Sequence, residues 1–429
     1  MIGHALATGR TSTLIKLGFA AAAKSSAAFM AFGLTALVTR NMAANEAGLF
    51  LLGFSLIAVL SVFFRLGLDN VILRFLSAHG TDAFSQEKLN RGLLWVATFV
   101  IPSTTLGMLF SDQIARHVFN KSDFGPVLFW MLLALPSMAI FMLLAMAFQS
   151  QHRVILATIF QNLGISTVFV AAFGYIWVEH REILNALTAS QIYAGASYVI
   201  CLAAIVTWFK QKGIRFTLPS YKDRELTSAS SNLWMASNMS LITVWSGVLI
   251  AGAIVPGEDL AQLSAAQRTA MLTSFVLMVV NMVVAPRYAQ MWKKGDVVGI
   301  QRLARWSTRG MIAMVSPIFL FMVFLPQQVM SVFGDNYEQA APLLVIMVIG
   351  QFINVATGSV GYLLNMSGHE KDFRRITFFV GPLTIFLAFT FISIWGVTGA
   401  AYATAIGVSL QNLGAMLVVK KRLGFFPIT

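Results

Sequence analysis

The chain has 429 residues, 57% of them hydrophobic and 11% charged, with a formal net charge of +13 and a mean hydropathy of +0.75. Soluble domains carry about a quarter charged residues, so this composition excludes an ordinary soluble domain. The apolar residues come in unbroken blocks of roughly twenty, the length of a membrane-crossing helix, and do not alternate as a transmembrane β-barrel requires. The expected fold class is an all-α integral membrane protein.

Twelve spans are predicted, at about 17–39, 47–69, 92–111, 125–149, 154–178, 187–209, 232–254, 264–286, 310–333, 341–366, 374–395 and 398–419. The first is the Ala-rich stretch "LGFAAAAKSSAAFMAFGLTALV", too long for a signal h-region and interrupted by Lys24, so it reads as an uncleaved span. Lys24 lies about seven residues inside it, roughly 10 Å from its edge at 1.5 Å per residue. There it either snorkels to the headgroups or faces a cavity. The second span carries "SVFFRLGLDNVILRF", with Arg65 and Asp69 at i, i+4 on one helical face. Arg65 falls about 27 Å along this span, near a membrane boundary. The pair is either a snorkelling arginine tethered to its neighbour or a phosphate contact at the mouth of a path, oriented by Asp69.

Between spans six and seven, "KQKGIRFTLPSYKDRELTSASSN" is the longest polar interruption and reads as a linker. It divides the chain into an N-terminal six-helix lobe at 1–209, a linker at 210–231 and a C-terminal six-helix lobe at 232–429. A weak internal repeat agrees. "RHVFNKSDFGPVLFWMLLALPS" resembles "MSVFGDNYEQAAPLLVIMVIGQ", and Pro102 pairs with Pro317, at a nearly constant offset. With six spans each, the two halves form a parallel repeat. In the second half, Arg268 lies two turns into a helix expected to open near Leu260, close to the outer face. Asn281 is a polar residue within the following apolar run, with Gln351, Asn354, Gln411 and Asn412 further on. "VGIQRLARWSTRGM" places Arg302, Arg305 and Arg309 on one face and reads as an amphipathic helix lying on the membrane before span nine. Pro102, Pro136, Pro317 and Pro382 fall within spans, where a proline bends a helix.

The charge has a topological explanation. With a cytoplasmic N-terminus, the inner segments hold 24 of the 30 Lys and Arg residues and the outer loops five, while the acidic residues divide eight and nine. This is the positive-inside pattern, with both termini cytoplasmic, and no nucleic-acid partner is needed to explain the charge. The six histidines are scattered without ligand spacing, and a single Cys201 makes no disulfide framework. There is no P-loop, metal motif or large outer domain to hold an active site, so neither an enzyme nor a cofactor is expected.

Three stretches, in this order, resemble a known family. "LVTRNMAANEAGLFLLGFSLIAVLSVFFRLGLDNVILRF" resembles the first two spans of the polysaccharide-transport family of flippases (Wzx type). "AAQRTAMLTSFVLMVVNMVVAPRYAQMWKKGD" resembles its eighth span, and "VFGDNYEQAAPLLVIMVIGQFIN" through "NMSGHEK" its later ones. The resemblance implies two six-helix lobes around a central cavity, like the multidrug-extrusion transporters of the same superfamily. It implies alternating access and a substrate built of an oligosaccharide on a polyprenyl diphosphate, moved across the bacterial inner membrane from the cytoplasmic to the periplasmic leaflet. A polymerase and glycosyltransferases are the implied partners, and a proton or sodium ion the implied coupling ion. Burying unpaired phosphate charge in hydrocarbon is prohibitive, so such a path needs cations. Lys24, Arg65 with Asp69, Arg268 and the polar Asn281 are the candidates. The rival reading is a proton- or sodium-coupled drug or small-solute exporter of the same fold. Such exporters usually need a deep acidic residue, and only Asp69, at a span end, approaches that description.

Overall fold

The computed structural model describes residues 26, 28–79, 83–151, 153–180, 184–211 and 224–428. Lys24 and most of the expected linker lie outside them. The described residues form helices and turns, with no strand among them. In chain order the helices are α1 (28–41), α2 (Ala44–Phe64), α3 (Leu68–His79), α4 (Ala83–Leu109), α5 (Ser111–His117), α6 (Phe124–Ser150), α7 (Val154–Thr158), α8 (Gly164–Glu179) and α9 (Ala186–Phe209). They continue as α10 (Arg224–Ile254), α11 (Gly257–Met271), α12 (Phe275–Lys293), α13 (Val297–Phe324), α14 (Pro326–Met330), α15 (Ala341–Ala356), α16 (Val360–Met366) and α17 (Glu370–Leu423). Local sequence sets the ends. Asn185 and Asp296 cap α9 and α13 by accepting from the backbone N–H groups of Thr188 and Gly299. Pro326 starts α14, and Gly424, at φ 85°, ends α17 behind three basic residues.

Ten helical stretches among the described residues are long and apolar enough to cross a membrane. The last, α17, is two spans. Gly396 has φ 57°, ψ −136° inside it, a left-handed turn that glycine adopts without strain, and the chain folds back there. Position 414 meets Ile376, position 407 meets Thr384 and position 399 meets Phe391, as in an antiparallel hairpin. The protein is a multi-pass helical membrane protein. Its exposed large side chains, among them Leu106, Tyr175, Phe321, Phe386 and Phe389, face lipid, where exposure of apolar surface has no hydrophobic cost.

The helices pack as two groups. In the first, α6 is the central element, against α2, α3, α4 and α9. In the second, α17 packs against α10, α15 and α16, and α15 against α13. The groups meet where α2 lies along α10 and α11. The internal repeat is visible as an element series. A proline-containing long helix, a short helix and another span start at 83, 111 and 124 in the first group and at 297, 326 and 341 in the second.

Three expectations are corrected. The second span does not run to Asp69: α2 ends at Phe64, and Leu66 and Gly67 turn the chain at φ 53° and 71° before α3. The Arg302–Arg309 segment is not a separate helix lying on the membrane. It is the first part of α13, which runs unbroken from Val297 to Phe324. The helix expected to open near Leu260 starts earlier, because α11 opens at Gly257, directly after Pro256.

Candidate functional site

Arg268 occupies the centre of the seam between the two groups. α2 has 21 residues, about 31 Å at 1.5 Å per residue, which matches the hydrocarbon thickness. Phe54 is its midpoint residue, and the guanidinium carbon of Arg268 lies 4.1 Å from the centre of the Phe54 ring. Arg268 is therefore at mid-membrane depth and not near a face. The sequence placed it too shallow because Pro256 and Gly257 read as loop, whereas α11 starts there and adds three residues ahead of Leu260.

The floor beneath Arg268 is aromatic and belongs to the first group. The Tyr193 ring is 5.3 Å from Phe54, and Phe50, Phe169 and Phe173 continue the stack at centroid spacings of 5.5 Å. The Tyr193 hydroxyl turns to Met138 Sδ, 3.6 Å away. A cation over an aromatic face gains roughly 0.5–2 kcal/mol, less than the ~2.5–3.5 kcal/mol that an arginine costs at the centre of a bilayer. Arg268 Nε and Nη2 are sealed and have no hydrogen-bond partner among the described residues. The site thus holds a cation with unspent donors, as a phosphate-binding position requires.

Polar groups continue from Arg268 through the second group. Its neighbour Gln267 donates to the Val244 carbonyl at 2.9 Å and leaves its own Oε1 buried without a partner. Asn354 Nδ2 donates to Ser274 Oγ at 3.2 Å, and Ser274 Oγ donates to Gln351 Oε1. Two helical turns beyond Ser274, Asn281 Oδ1 is sealed and unpartnered. Arg268 and Asn281 therefore lie on successive helices, α11 and α12, leading toward the end of the molecule that carries Lys293, Lys294 and Arg302. We call this the basic end.

Arg65 and Asp69 form a different feature, a clasp at the basic end. Arg65 Nε donates to Asp69 Oδ2 at 2.9 Å and its Nη1 to Ser61 Oγ at 3.1 Å, with both members of the pair largely buried. The contact is made across the turn at Leu66–Gly67 and not along one helical face. That turn docks on α10. Trp234 Nε1 donates to the Phe63 carbonyl at 2.8 Å, Ser230 Oγ donates to the Leu66 carbonyl, and the Phe63 and Trp234 rings are 5.0 Å apart. A Cβ on Gly67 would sit 2.5 Å from Trp234 N. No hydrogen bond or ion pair among the described residues joins this clasp to Arg268 or Asn281.

The opposite end is also closed. Gly48 of α2 abuts Gly257 of α11 so tightly that an added Cβ would lie 1.8 Å from the Gly257 carbonyl oxygen. Arg40 donates to the Val332 and Ser331 carbonyls at 2.7 and 3.2 Å, and Lys121 Nζ to the Val255 carbonyl at 2.6 Å. Burial pushes the Lys121 ammonium down from its ordinary value. Beside this seam lies a polar cavity of about 620 Å³, lined by Asn45, Asn120, Lys121, Ser122 and Asp123 from one group and residues 253–257 from the other. Sequence reasoning missed Phe54, Tyr193 and Trp234. Nothing distinguishes those three aromatics among the chain's 35 phenylalanines, eight tyrosines and nine tryptophans until packing singles them out.

Comparisons with known proteins fit this architecture. A family model described as "Polysaccharide biosynthesis protein" matches residues 15–292, and one described as MatE matches residues 235–390. Among curated proteins nothing matches. A solved structure of the lipid II flippase MurJ in an inward closed conformation superposes with a TM-score of 0.77 at 12% identity, covering 94% of this chain and 87% of that one. An inward-facing multidrug resistance MATE family transporter of the MOP superfamily gives 0.74 at 14% identity, covering 94% and 98%. A MOP superfamily transporter from Pyrococcus furiosus gives 0.71 at 13%, covering 96% and 95%. At such identities the likeness is one of fold.

Proposed function

The chain belongs to the polysaccharide biosynthesis protein family, and on that premise we propose that it flips polyprenyl-diphosphate-linked oligosaccharide units across the membrane for surface polysaccharide assembly. It is a membrane transporter of the MOP fold, not an enzyme. The observation that carries the finer reading is Arg268, a mid-membrane cation between the two helix groups with two donors unsatisfied. A diphosphate passing along the seam would accept from those donors, while the lipid tail remains in the bilayer and the sugars travel with the headgroup. Arginine suits this role through its fixed fork of donors.

The two groups correspond to an N-terminal lobe at 1–209 and a C-terminal lobe at 232–429, with the connection at 210–231 between them; α10 already begins within it, at Arg224. The basic end faces the cytoplasm by the positive-inside rule, in a bacterial inner membrane, with both termini inside. The Arg65–Asp69–Trp234 clasp is then the inner gate, and the Gly48–Gly257 seam the outer one. Transport requires each to open in turn. Arg65 meets the phosphates when the inner gate opens, Asn281 contacts the headgroup on the way in, and Lys24 belongs to the same cationic path.

The rival is a proton- or sodium-coupled exporter, favoured by the MatE match over residues 235–390. Complementation separates the two readings. Arg268→Ala should strongly reduce surface polysaccharide in a strain that depends on this chain, with the protein still present in the membrane. Normal polysaccharide with Arg268→Ala, or full polysaccharide in a strain lacking the chain, would overturn the flippase reading.

A further inference from the structure

The closed end opposite the basic end is held by contacts that follow the internal repeat. The register that pairs α4 with α13 and α5 with α14 also pairs "HVFNK", from His117, with "SVFGD", from Ser331. The two segments fold alike. Phe119 and Phe333 are both buried, and the residues after them, Asn120 and Gly334, take positive φ, at 51° and 125°. The same register pairs Arg40, in the last turn of α1, with Ile254, the last residue of α10. Among the described residues, α1 and α10 are the first helices of the two halves. Carbonyls at a helix end have no partner within the helix and attract cations and other donors.

Each of these two helix ends is tied to the other half of the chain. The first segment grips the end of α10: Asn120 Nδ2 donates to the Ala253 carbonyl at 3.2 Å and Lys121 Nζ to the Val255 carbonyl at 2.6 Å. The end of α1 grips the second segment. Arg40 Nε donates to the Val332 carbonyl at 2.7 Å and Nη2 to the Ser331 carbonyl at 3.2 Å, and the Phe32 and Phe333 rings are 5.0 Å apart. The paired elements correspond, but the donors are reversed: the segment donates in one contact and accepts in the other. The Gly48–Gly257 approach is backbone on backbone, with no side chain to interlock. We propose that the two contacts are reciprocal latches, in which each half of the chain holds the first helix of the other, and that the outer gate opens only when both release. This device rests on the Gly48–Gly257 seam being a gate and is independent of what passes through it. Hydrogen bonds at the water's edge are individually weak, so closure is shared between the two latches. Leu49 sits behind them: it lines the polar cavity beside Lys121 and is 2% exposed.

Labelling of Leu49→Cys in a Cys201→Ala background tests this in membrane vesicles, with a membrane-impermeant maleimide added from the side opposite the basic end. Arg40→Gln and Lys121→Gln should each raise the labelling rate by roughly threefold to tenfold, and together by roughly the product, because separate contacts add in free energy. Arg116→Gln removes an exposed cation of α5 at the same end and should change nothing. A second reporter, Ala139→Cys in the core of the first helix group, should stay unlabelled in every variant, which separates opening from unfolding. Wild-type labelling of Leu49→Cys in the Arg40/Lys121 double variant overturns the proposal. So does a double variant no faster than one of its parents, which would leave a single latch. An equal rise with Arg116→Gln, meaning loss of charge alone, or a matching rise at Ala139→Cys, meaning unfolding, would overturn it too. Surface polysaccharide does not enter this readout, so a failure of the latches and a failure of the flippase reading give different results.

Discussion

Arg268 is held where an arginine is costly, and its surroundings offset only part of that cost. The Phe54 ring supplies a cation–π contact, while Nε and Nη2 keep unused donors. A phosphate accepting from them makes charge-assisted hydrogen bonds, each about 1.5–3 kcal/mol. Arg268→Ala is therefore expected to slow substrate movement by roughly 10- to 100-fold, with Arg268→Lys retaining an intermediate rate, as measured by lipid-linked glycan flipping at matched protein levels. Arg65 behaves differently. Its removal leaves Asp69 buried with both oxygens unpaired, a penalty of about 1–3 kcal/mol. Arg65→Leu should lower the melting temperature in detergent, and adding Asp69→Leu should recover most of the loss. If the double variant melts below the single one, the pair's burial is not what the clasp depends on. The chemical identity of both arginines was legible in the sequence. The depth of Arg268 was not, because α11 begins at Gly257, three residues ahead of Leu260, and each residue moves a side chain about 1.5 Å along the helix axis; Arg65 lies at the end of its span, as its position in the sequence suggested.

At the level of elements, two close helix approaches set which ends are shut. Gly48 on Gly257 leaves no room for a methyl group, and forcing one in costs about 1–3 kcal/mol of overpacking. Gly48→Ala should therefore loosen the seam at that end. A cysteine placed nearby on α2 would label faster with a membrane-impermeant maleimide from that side; unchanged labelling would mean that the seam is not held by this contact. Trp234→Ala removes the hydrogen bond to Phe63 and the ring contact at the basic end, and labelling of a cysteine on the α2–α3 turn should rise there instead. The sequence suggested a continuous second span because Leu66 is an ordinary helix former. Only the docking of the turn onto Ser230 and Trp234 shows why Leu66 and Gly67 leave the helix. The continuity of α13 was hidden for a related reason: an amphipathic first half and an apolar second half read as two elements, although the helix runs unbroken through Gly310 between them.

For the whole molecule, the fold class, the span series and the two-half repeat were readable from hydropathy and from the pairing of Pro102 with Pro317, because crossing a membrane demands helices of fixed length. The seam was not readable, since it is made by residues such as Phe54 and Gly257 that become neighbours only through packing. On the proposed function, the seam carries a diphosphate-linked glycan past Arg268. The direct measurement is flipping in proteoliposomes containing a fluorescent polyprenyl-diphosphate oligosaccharide, read by a reagent that reaches only the outer leaflet. Wild-type protein is expected to move the label between leaflets, Arg268→Ala to slow this by roughly 10- to 100-fold, and cationic drugs not to compete. A label that stays in its leaflet with wild-type protein, while a cationic drug is carried across in its place, would contradict it.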